Sequence, residues 1–197
     1  MDTTTVVALL HCFLFASLVQ SAPISSPAFK EAANRAKTLV EKLLKDIPAA
    51  HSAAVSTEGF TLSGQISNLQ LMVTSMGIPA APVLKPLSDR FTPDRCLSHM
   101  SAGSQLFQDL LGVLSSKLSG LEDLRADLRD LLTLINKLKE LGELGGDASD
   151  QSATLDLAPH LHDSYKVQVI VHVTLTQLRS FCHDLTRSLR ALATYRP

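Results

Sequence analysis

A chain of 197 residues with a formal net charge of −1 can bury a sizeable core in one domain without a dense disulfide framework. The near-zero charge excludes a surface dominated by nucleic-acid binding, because such a surface needs clustered positive charge. Trp is absent and Tyr is rare, whereas the strong helix formers Leu and Ala are abundant, which favours an all-α fold.

Residues 1–21 are predicted to be a signal peptide. An apolar run covers 6–19, the length of a signal-peptide core and too short for a membrane anchor. Small residues surround a plausible cleavage point after Ser21, although no Lys or Arg precedes the run. The alternative is a buried N-terminal helix of a cytosolic protein. We expect instead a secreted, extracellular protein with one domain at 22–197 and no membrane insertion.

The first predicted helix covers 28–47. Pro27 would open it and Pro48 would close it, because proline suits the first turn of a helix and breaks its interior. Between the two prolines, apolar residues recur every three or four positions and charged residues occupy the opposite face. Such an amphipathic helix must bury its apolar stripe against other elements.

A long connection, poor in charge, follows the first helix. A short helix is predicted at 66–76, and the prolines of 79–86 then favour an extended path. Connections of this length are uncommon inside compact domains and usually have a topological reason.

Two further helices are predicted at 93–118 and 120–142, separated by a very short link. A Thr-Pro pair at 92–93 provides a hydroxyl cap and a proline at the first helical position. Ser119 and Glu122 fit a capping box for the following helix, which a group of glycines ends.

A polar linker from 145 to about 159 leads to the last predicted helix, 160–194. Apolar residues at alternate positions of 167–175 are also typical of a β-strand. Across the whole stretch, however, leucines keep a helical period, and no other segment offers a partner strand. We therefore predict a helix, with the strand as the alternative.

Four main helices joined by long, short and long connections predict a long-chain four-helix bundle. A short link forces antiparallel neighbours, whereas a long link can carry the chain back along the bundle. The expected arrangement is up-up-down-down with two long crossover connections. Exported bundles of this kind are mostly signalling ligands, which is an analogy from fold to role.

Several runs of residues go beyond architecture. The run 75–82 reads Ser-Met-Gly-Ile-Pro-Ala-Ala-Pro, and Cys-Leu-Ser follows at 96–98. Near the C-terminus, 178–181 reads Leu-Arg-Ser-Phe and 189–193 reads Leu-Arg-Ala-Leu-Ala. In order and spacing these runs resemble the granulocyte colony-stimulating factor family. That family belongs to the long-chain helical cytokines, which include interleukin-six.

The resemblance implies a monomeric ligand that binds the ectodomains of two haematopoietic-class cell-surface receptor chains. The expected outcome is granulocyte-lineage proliferation, differentiation and survival, as part of haematopoiesis and the immune response. The family's main receptor surface combines charges of the first and third bundle helices. The matching residues here are Glu41, Lys42, Lys45, Glu122, Asp127 and Asp130. Glu58 is the candidate for a second receptor surface. The alternative is that all these charged residues only form solvent-exposed faces and contact no receptor.

The chain departs from the family in its cysteines. Of the positions that form two disulfides in the family's first connection, only Cys96 is kept, and Pro86 occupies the place of its partner. A Cys96–Cys182 disulfide is the remaining pairing, but in the expected topology the two lie roughly 15 Å apart along the bundle. A disulfide needs about 4.4 to 6.8 Å between Cα atoms. We therefore expect two buried free thiols. Asn68 stands where the family has an acidic residue of its second surface.

No group of residues indicates catalysis. The densest set of metal-ligand types is His160, His162, His172 and His183. His160 and His162 would point about 200° apart on a helix, so we expect exposed polar histidines and no metal site. Asp127 and Asp130 share a helical face, but neighbouring arginines indicate an open, ion-paired surface rather than a desolvated catalytic pair.

We therefore expect no enzyme activity and no cofactor. The alternative function is a secreted lipid carrier made of amphipathic helices, like the exchangeable apolipoproteins. Helices of that class usually repeat at regular intervals, and no such period is present here.

Overall fold

The computed structural model describes residues 26–64, 66–144 and 157–195. The predicted signal peptide and most of the polar linker lie outside these ranges. The elements are α1 (Pro27–Ala54), α2 (Ser67–Ser75), α3 (Pro93–Leu114), α4 (Glu122–Leu141), a 3₁₀ turn (Ala158–His160) and α5 (Ser164–Thr194). Within the described ranges the only β feature is an isolated bridge between Ser88 and Phe91. The all-α prediction is confirmed, and the strand alternative for the last segment is wrong.

The predicted end of the first helix at 47 is wrong, because α1 continues through Pro48 to Ala54. Proline removes one backbone N–H from the helical ladder, a loss that contacts beyond the helix can offset. Here the last turns are held against α5. The Gln168 side chain donates a hydrogen bond to the Ala54 carbonyl (3.1 Å) and accepts one from the Ser56 N–H (2.7 Å).

Side-chain caps begin three of the long helices. The Ser26 hydroxyl accepts from the Phe29 N–H (3.1 Å), and the Thr92 hydroxyl accepts from the Arg95 N–H (3.4 Å). Each of these caps is followed by a proline at the helix start, as predicted for α3. Asp163 caps α5, so this helix begins after the 3₁₀ turn and not at 160.

The capping box predicted from Ser119 and Glu122 does not form. Helix α4 begins at Glu122 and not at 120, and Leu121 occupies its N-cap without a side-chain hydrogen bond. Gly120 has φ +83°, and its backbone N–H donates a hydrogen bond to the Glu122 carboxylate (3.0 Å). The left-handed backbone that only glycine adopts easily therefore replaces the hydroxyl cap.

Helix α3 also ends earlier than predicted, at Leu114 rather than 118. The Ser115 and Ser116 hydroxyls donate to the Gly112 and Val113 carbonyls (2.9 and 2.7 Å). Serine side chains compete for backbone groups in this way and favour turns over helix interiors. The prediction for the end of α4 differs by one residue, since Gly142 is its C-cap.

Helix α5 contains the longest continuously buried stretch of the described chain. All nine residues of 167–175 are buried, so this part of the helix has no solvent-facing side. It contacts α1, α2 and α3, and Phe60 of the first connection also lies on it. A helical stretch that is buried on every side is one that other elements surround. This explains why the segment also resembles a strand in sequence.

Contacts near the helix ends join the elements into a helical bundle. The Ala54 end of α1 meets Gln168 of α5, and Ala53 meets Gly120 just before α4. Phe107 of α3 packs on Phe181 of α5 with ring centroids 5.5 Å apart. Among the described helices, none combines the length and the apolar character needed to cross a bilayer.

Helices α3 and α5 approach each other closely at Gly103. A Cβ atom added there would lie 2.3 Å from Cζ of the Phe181 ring, far inside van der Waals contact. Gly112, on the same helix, differs because its added Cβ would meet only the mobile guanidinium of Arg125, at 3.1 Å or more. The two glycines therefore form a matched pair, one required by packing and one not.

We predict that Gly103→Ala lowers the free energy of unfolding by about 1–3 kcal/mol, because the methyl group displaces the Phe181 ring. Gly112→Ala should be neutral or stabilise by up to about 1 kcal/mol through helix propensity. Urea unfolding followed by circular dichroism measures both. Equal stability of the two variants would contradict the proposed close packing.

Candidate functional site

Three of the predicted site residues lie on the outer face of α1. Glu41 faces α5, where its carboxylate lies 3.9 Å from the Arg190 guanidinium and 3.7 Å from the Lys37 ammonium. Lys42 faces α4 on the other side. Lys45 is exposed and falls between them, because successive helical residues are rotated by about 100°. It makes no ion pair with any residue that the structure describes.

Lys42 and Asp127 form an ion pair that joins α1 to α4. The Lys42 ammonium donates to the Asp127 carboxylate and also lies 3.2 Å from Asp46 Oδ2. Hydrogen bonds to Asp127 and then to Asp46 raise the pKa of Lys42 above its ordinary value. Asp127 is only 14% exposed, whereas Lys42 is 52% exposed, so solvent screens the pair from one side. Pairs of this kind contribute about 0–1 kcal/mol, so this one orients the two helices more than it stabilises them.

An open groove of ≈ 780 Å³ lies beside this pair, lined by residues of α1 and by Leu134 of α4. Leu39 and Leu134 supply apolar surface, and Asn34, Arg35 and Thr38 supply polar groups. Protein-binding patches commonly combine apolar and polar groups in this way. Sequence reasoning missed the groove because its two walls are about a hundred residues apart. The half-buried leucines on otherwise polar faces were the available signal.

The other predicted residues do not join the Lys42–Asp127 cluster. Asp130 is exposed and makes no ion pair within the described ranges. Glu122 is also exposed, and its carboxylate is bound to the Gly120 N–H. Glu58 lies exposed on the first connection. The structure therefore brings Lys42 and Asp127 together and leaves Lys45 and Asp130 available to a partner.

The sequence suggested that these four histidines are exposed, but the structure shows that not all of them are. His162 and His183 are exposed and His160 is half-buried, but His172 is buried and bonded to His51. The expectation of an exposed His172 is wrong because this part of α5 is covered on every side. In the described part of the chain, no three His, Cys, Asp or Glu residues are grouped as metal ligands.

Cys96 and Cys182 are buried and not bonded to each other. Burial raises the pKa of the Cys96 thiol to about 11, and a hydrogen bond with Ser188 opposes part of that shift. Burial raises the pKa of Cys182 to about 12. Both thiols are therefore protonated at neutral pH, and neither is a competent nucleophile.

Comparison with protein-family models and with curated proteins finds no match for this chain. An inference about function therefore depends on the residues and contacts described above.

We predict that Asp127→Asn lowers the pKa of Lys42 toward 10.5, because the largest cause of its raised value is removed. A raised lysine pKa stabilises the fold below the unfolded-state value, and the contribution is lost as pH rises through the folded-state value. The Lys42 side-chain carbon signals, followed by NMR through an alkaline titration, measure this. Asp130→Asn is the control and should leave the Lys42 pKa unchanged. An unaltered Lys42 pKa in Asp127→Asn would refute the pairing.

Proposed function

We propose that this protein is a secreted cytokine similar to granulocyte colony-stimulating factor. As a monomeric ligand it binds the ectodomains of two haematopoietic-class receptor chains and brings them together, which drives proliferation, differentiation and survival of granulocyte-lineage cells. The ion pair between Lys42 and Asp127 supports this most, because it joins two of the positions that the resemblance implies for receptor contact.

The bundle proposed for this role is up-up-down-down, and contacts along the helices support that arrangement. Along α1 and α5, Ala54 lies near Gln168 and Glu41 near Arg190, so one residue number rises as the other falls. Ala53 of α1 lies near Gly120, just before α4, and Lys42 of α1 lies near Asp127 of α4, again in inverse order. In the same way, Cys96 of α3 lies near Ser188 of α5, and Gly103 of α3 lies near Phe181 of α5. Helices α1 and α3 then run one way and α4 and α5 the other, as in growth-hormone-type bundles.

The proposed receptor surface consists of the outer faces of α1 and α4 with the groove between them. Leu39 and Leu134 would provide the apolar contact that desolvates on binding. Exposed Lys45 of α1 and exposed Asp130 of α4 carry opposite charges, which favours complementary charges on the partner and steers its approach. Asp127 contributes indirectly as well, because it fixes the position of Lys42.

We predict that Asp130→Lys weakens binding to the granulocyte colony-stimulating factor receptor ectodomain about tenfold or more, a loss of about 1.4 kcal/mol. The double variant Asp127→Lys with Asp130→Lys should abolish binding, since it also releases Lys42. Surface plasmon resonance measures the affinity, and circular dichroism checks that helicity is unchanged.

Two controls separate a local contact from a general charge effect. Glu140→Lys makes the same charge change at another exposed position of α4 and should leave the affinity unchanged. Exchanging the pair, Lys42→Asp with Asp127→Lys, keeps an ion pair between α1 and α4 but reverses both charges and removes the contact of Lys42 with Asp46. Undiminished binding by a folded double variant at Asp127 and Asp130 would move the receptor surface elsewhere.

Mixing with phospholipid vesicles distinguishes the lipid-carrier alternative. We predict no rise in helicity, because the apolar faces of the helices are already buried in the bundle. Circular dichroism with and without vesicles measures this, and a strong rise would favour the carrier function instead.

A further inference from the structure

A buried pair of imidazoles joins the end of α1 to the middle of α5. His51 Nε2 and His172 Nδ1 are 2.9 Å apart, which is a hydrogen bond, and the two residues are 7% and 2% exposed. The Phe60 ring stacks on His172 with centroids 4.6 Å apart and an interplanar angle of 18°. Phe60 thus closes the pair from the side of the first connection.

The two facing ring nitrogens can share a hydrogen bond only in certain protonation states of the pair. When both imidazoles are neutral, one of the facing nitrogens donates its proton and the other accepts it. A first added proton goes to an outer nitrogen, which keeps the hydrogen bond but leaves a buried charge. A second proton would put N–H groups on both facing nitrogens, so the hydrogen bond would be lost and two cations would lie in contact.

The surroundings provide nothing to offset such a charge. Burial lowers the pKa of His51, and burial followed by the His51 charge lowers the pKa of His172. No carboxylate in the described part of the chain contributes to either shift. Around the pair, Glu58 of the connection is exposed, and Tyr165 of α5 contacts Phe60 with centroids 6.4 Å apart. On the α4 side, the Glu122 carboxylate is bound to the Gly120 N–H.

Few hydrogen bonds attach the chain segment that His51 anchors to the rest of the bundle, although its Ala50 and Ala54 side chains are buried and the Leu62 carbonyl accepts from Arg179 of α5 (3.5 Å). Pro48 interrupts the hydrogen-bond ladder of α1 just before His51, so the final turns depend on contacts with α5. Gln168 supplies two of these through the Ala54 carbonyl and the Ser56 N–H, and the imidazole pair supplies a third. Such a segment is the kind that opens locally before the rest of a domain unfolds.

We propose that the His51–His172 pair is an acid-sensitive latch that holds the end of α1 and the start of the first connection on α5. Acid protonates the two imidazoles and releases residues 48–62, while the remainder of the bundle stays folded. Release would uncover Phe60 and the apolar side of α5 beneath it. The latch goes beyond the proposed function, because acid would open it whatever the protein binds.

The sign of the pH dependence follows from the lowered pKa values. The unfolded or opened segment binds protons near the ordinary histidine value of 6.5, whereas the closed pair binds them only at lower pH. The stability that the latch contributes is therefore complete above 6.5 and is lost as pH falls from there through the lowered values.

Hydrogen–deuterium exchange of the intact protein tests the latch. We expect the opening equilibrium of 48–62, corrected for intrinsic exchange, to rise about tenfold or more between about pH 7.5 and about pH 5, since each unit of pKa difference is worth a factor of ten. Amides in the middle of α3 and α4 should show no comparable change. Equal opening of 48–62 at both pH values would overturn the proposal.

Two variants with the same substitution on one helix provide the comparison. His172→Gln removes one of the two titrating groups from the latch and should reduce the pH dependence, because only His51 then titrates there. His183→Gln changes an exposed residue of α5 and should leave the dependence as in the parent. An undiminished dependence in His172→Gln would overturn the proposal.

If His172→Gln fails to fold, NMR titration of the parent protein still tests the latch. The His51 and His172 ring signals should titrate below 6.5, together with a shift of the Phe60 ring signals. Titration of both rings at or above 6.5, with Phe60 unaffected, would also overturn it.

Discussion

The burial of residues 167–175 of α5 on all sides is the constraint on which the rest of the structure depends. This stretch has no solvent-facing side, and α1, α2, α3 and the first connection all pack on the helix that contains it. The burial of its valines and leucines supplies a large part of the hydrophobic driving force. The first connection is therefore not a spare loop, because Phe60 stacks on His172 of α5 and Leu62 packs against the core.

Helix α1 lies between α4 and α5 and presents its remaining face to solvent. Glu41 is tied to α5 through Arg190, and Lys42 is tied to α4 through Asp127. These pairs flank a strip whose exposed charge, Lys45, has no partner in the described structure. The same packing forms the groove beside Lys42, so the proposed receptor surface and the core have one origin.

The fold holds without cross-links among its described cysteines. Cys96 and Cys182 act as small apolar residues in the core, and the close contact of Gly103 with the Phe181 ring fixes the spacing of α3 and α5. Pro86 takes the place where the family that the chain resembles would have a disulfide partner. Close packing, hydrogen bonds from Gln168 and the imidazole pair attach the first connection instead.

The sequence alone determined the all-α class, the approximate helix positions and the Thr92 cap that precedes Pro93. These depend on local periodicity and on side chains that bond to backbone a few residues away, which a linear reading captures. Only the tertiary structure decided that α1 continues past Pro48, because Gln168 holds its end from more than a hundred residues away. The pairings of Lys42 with Asp127 and His51 with His172 were decided in the same way. Periodicity reports which face of a helix is apolar, but which partner covers that face is a property of the packed chain.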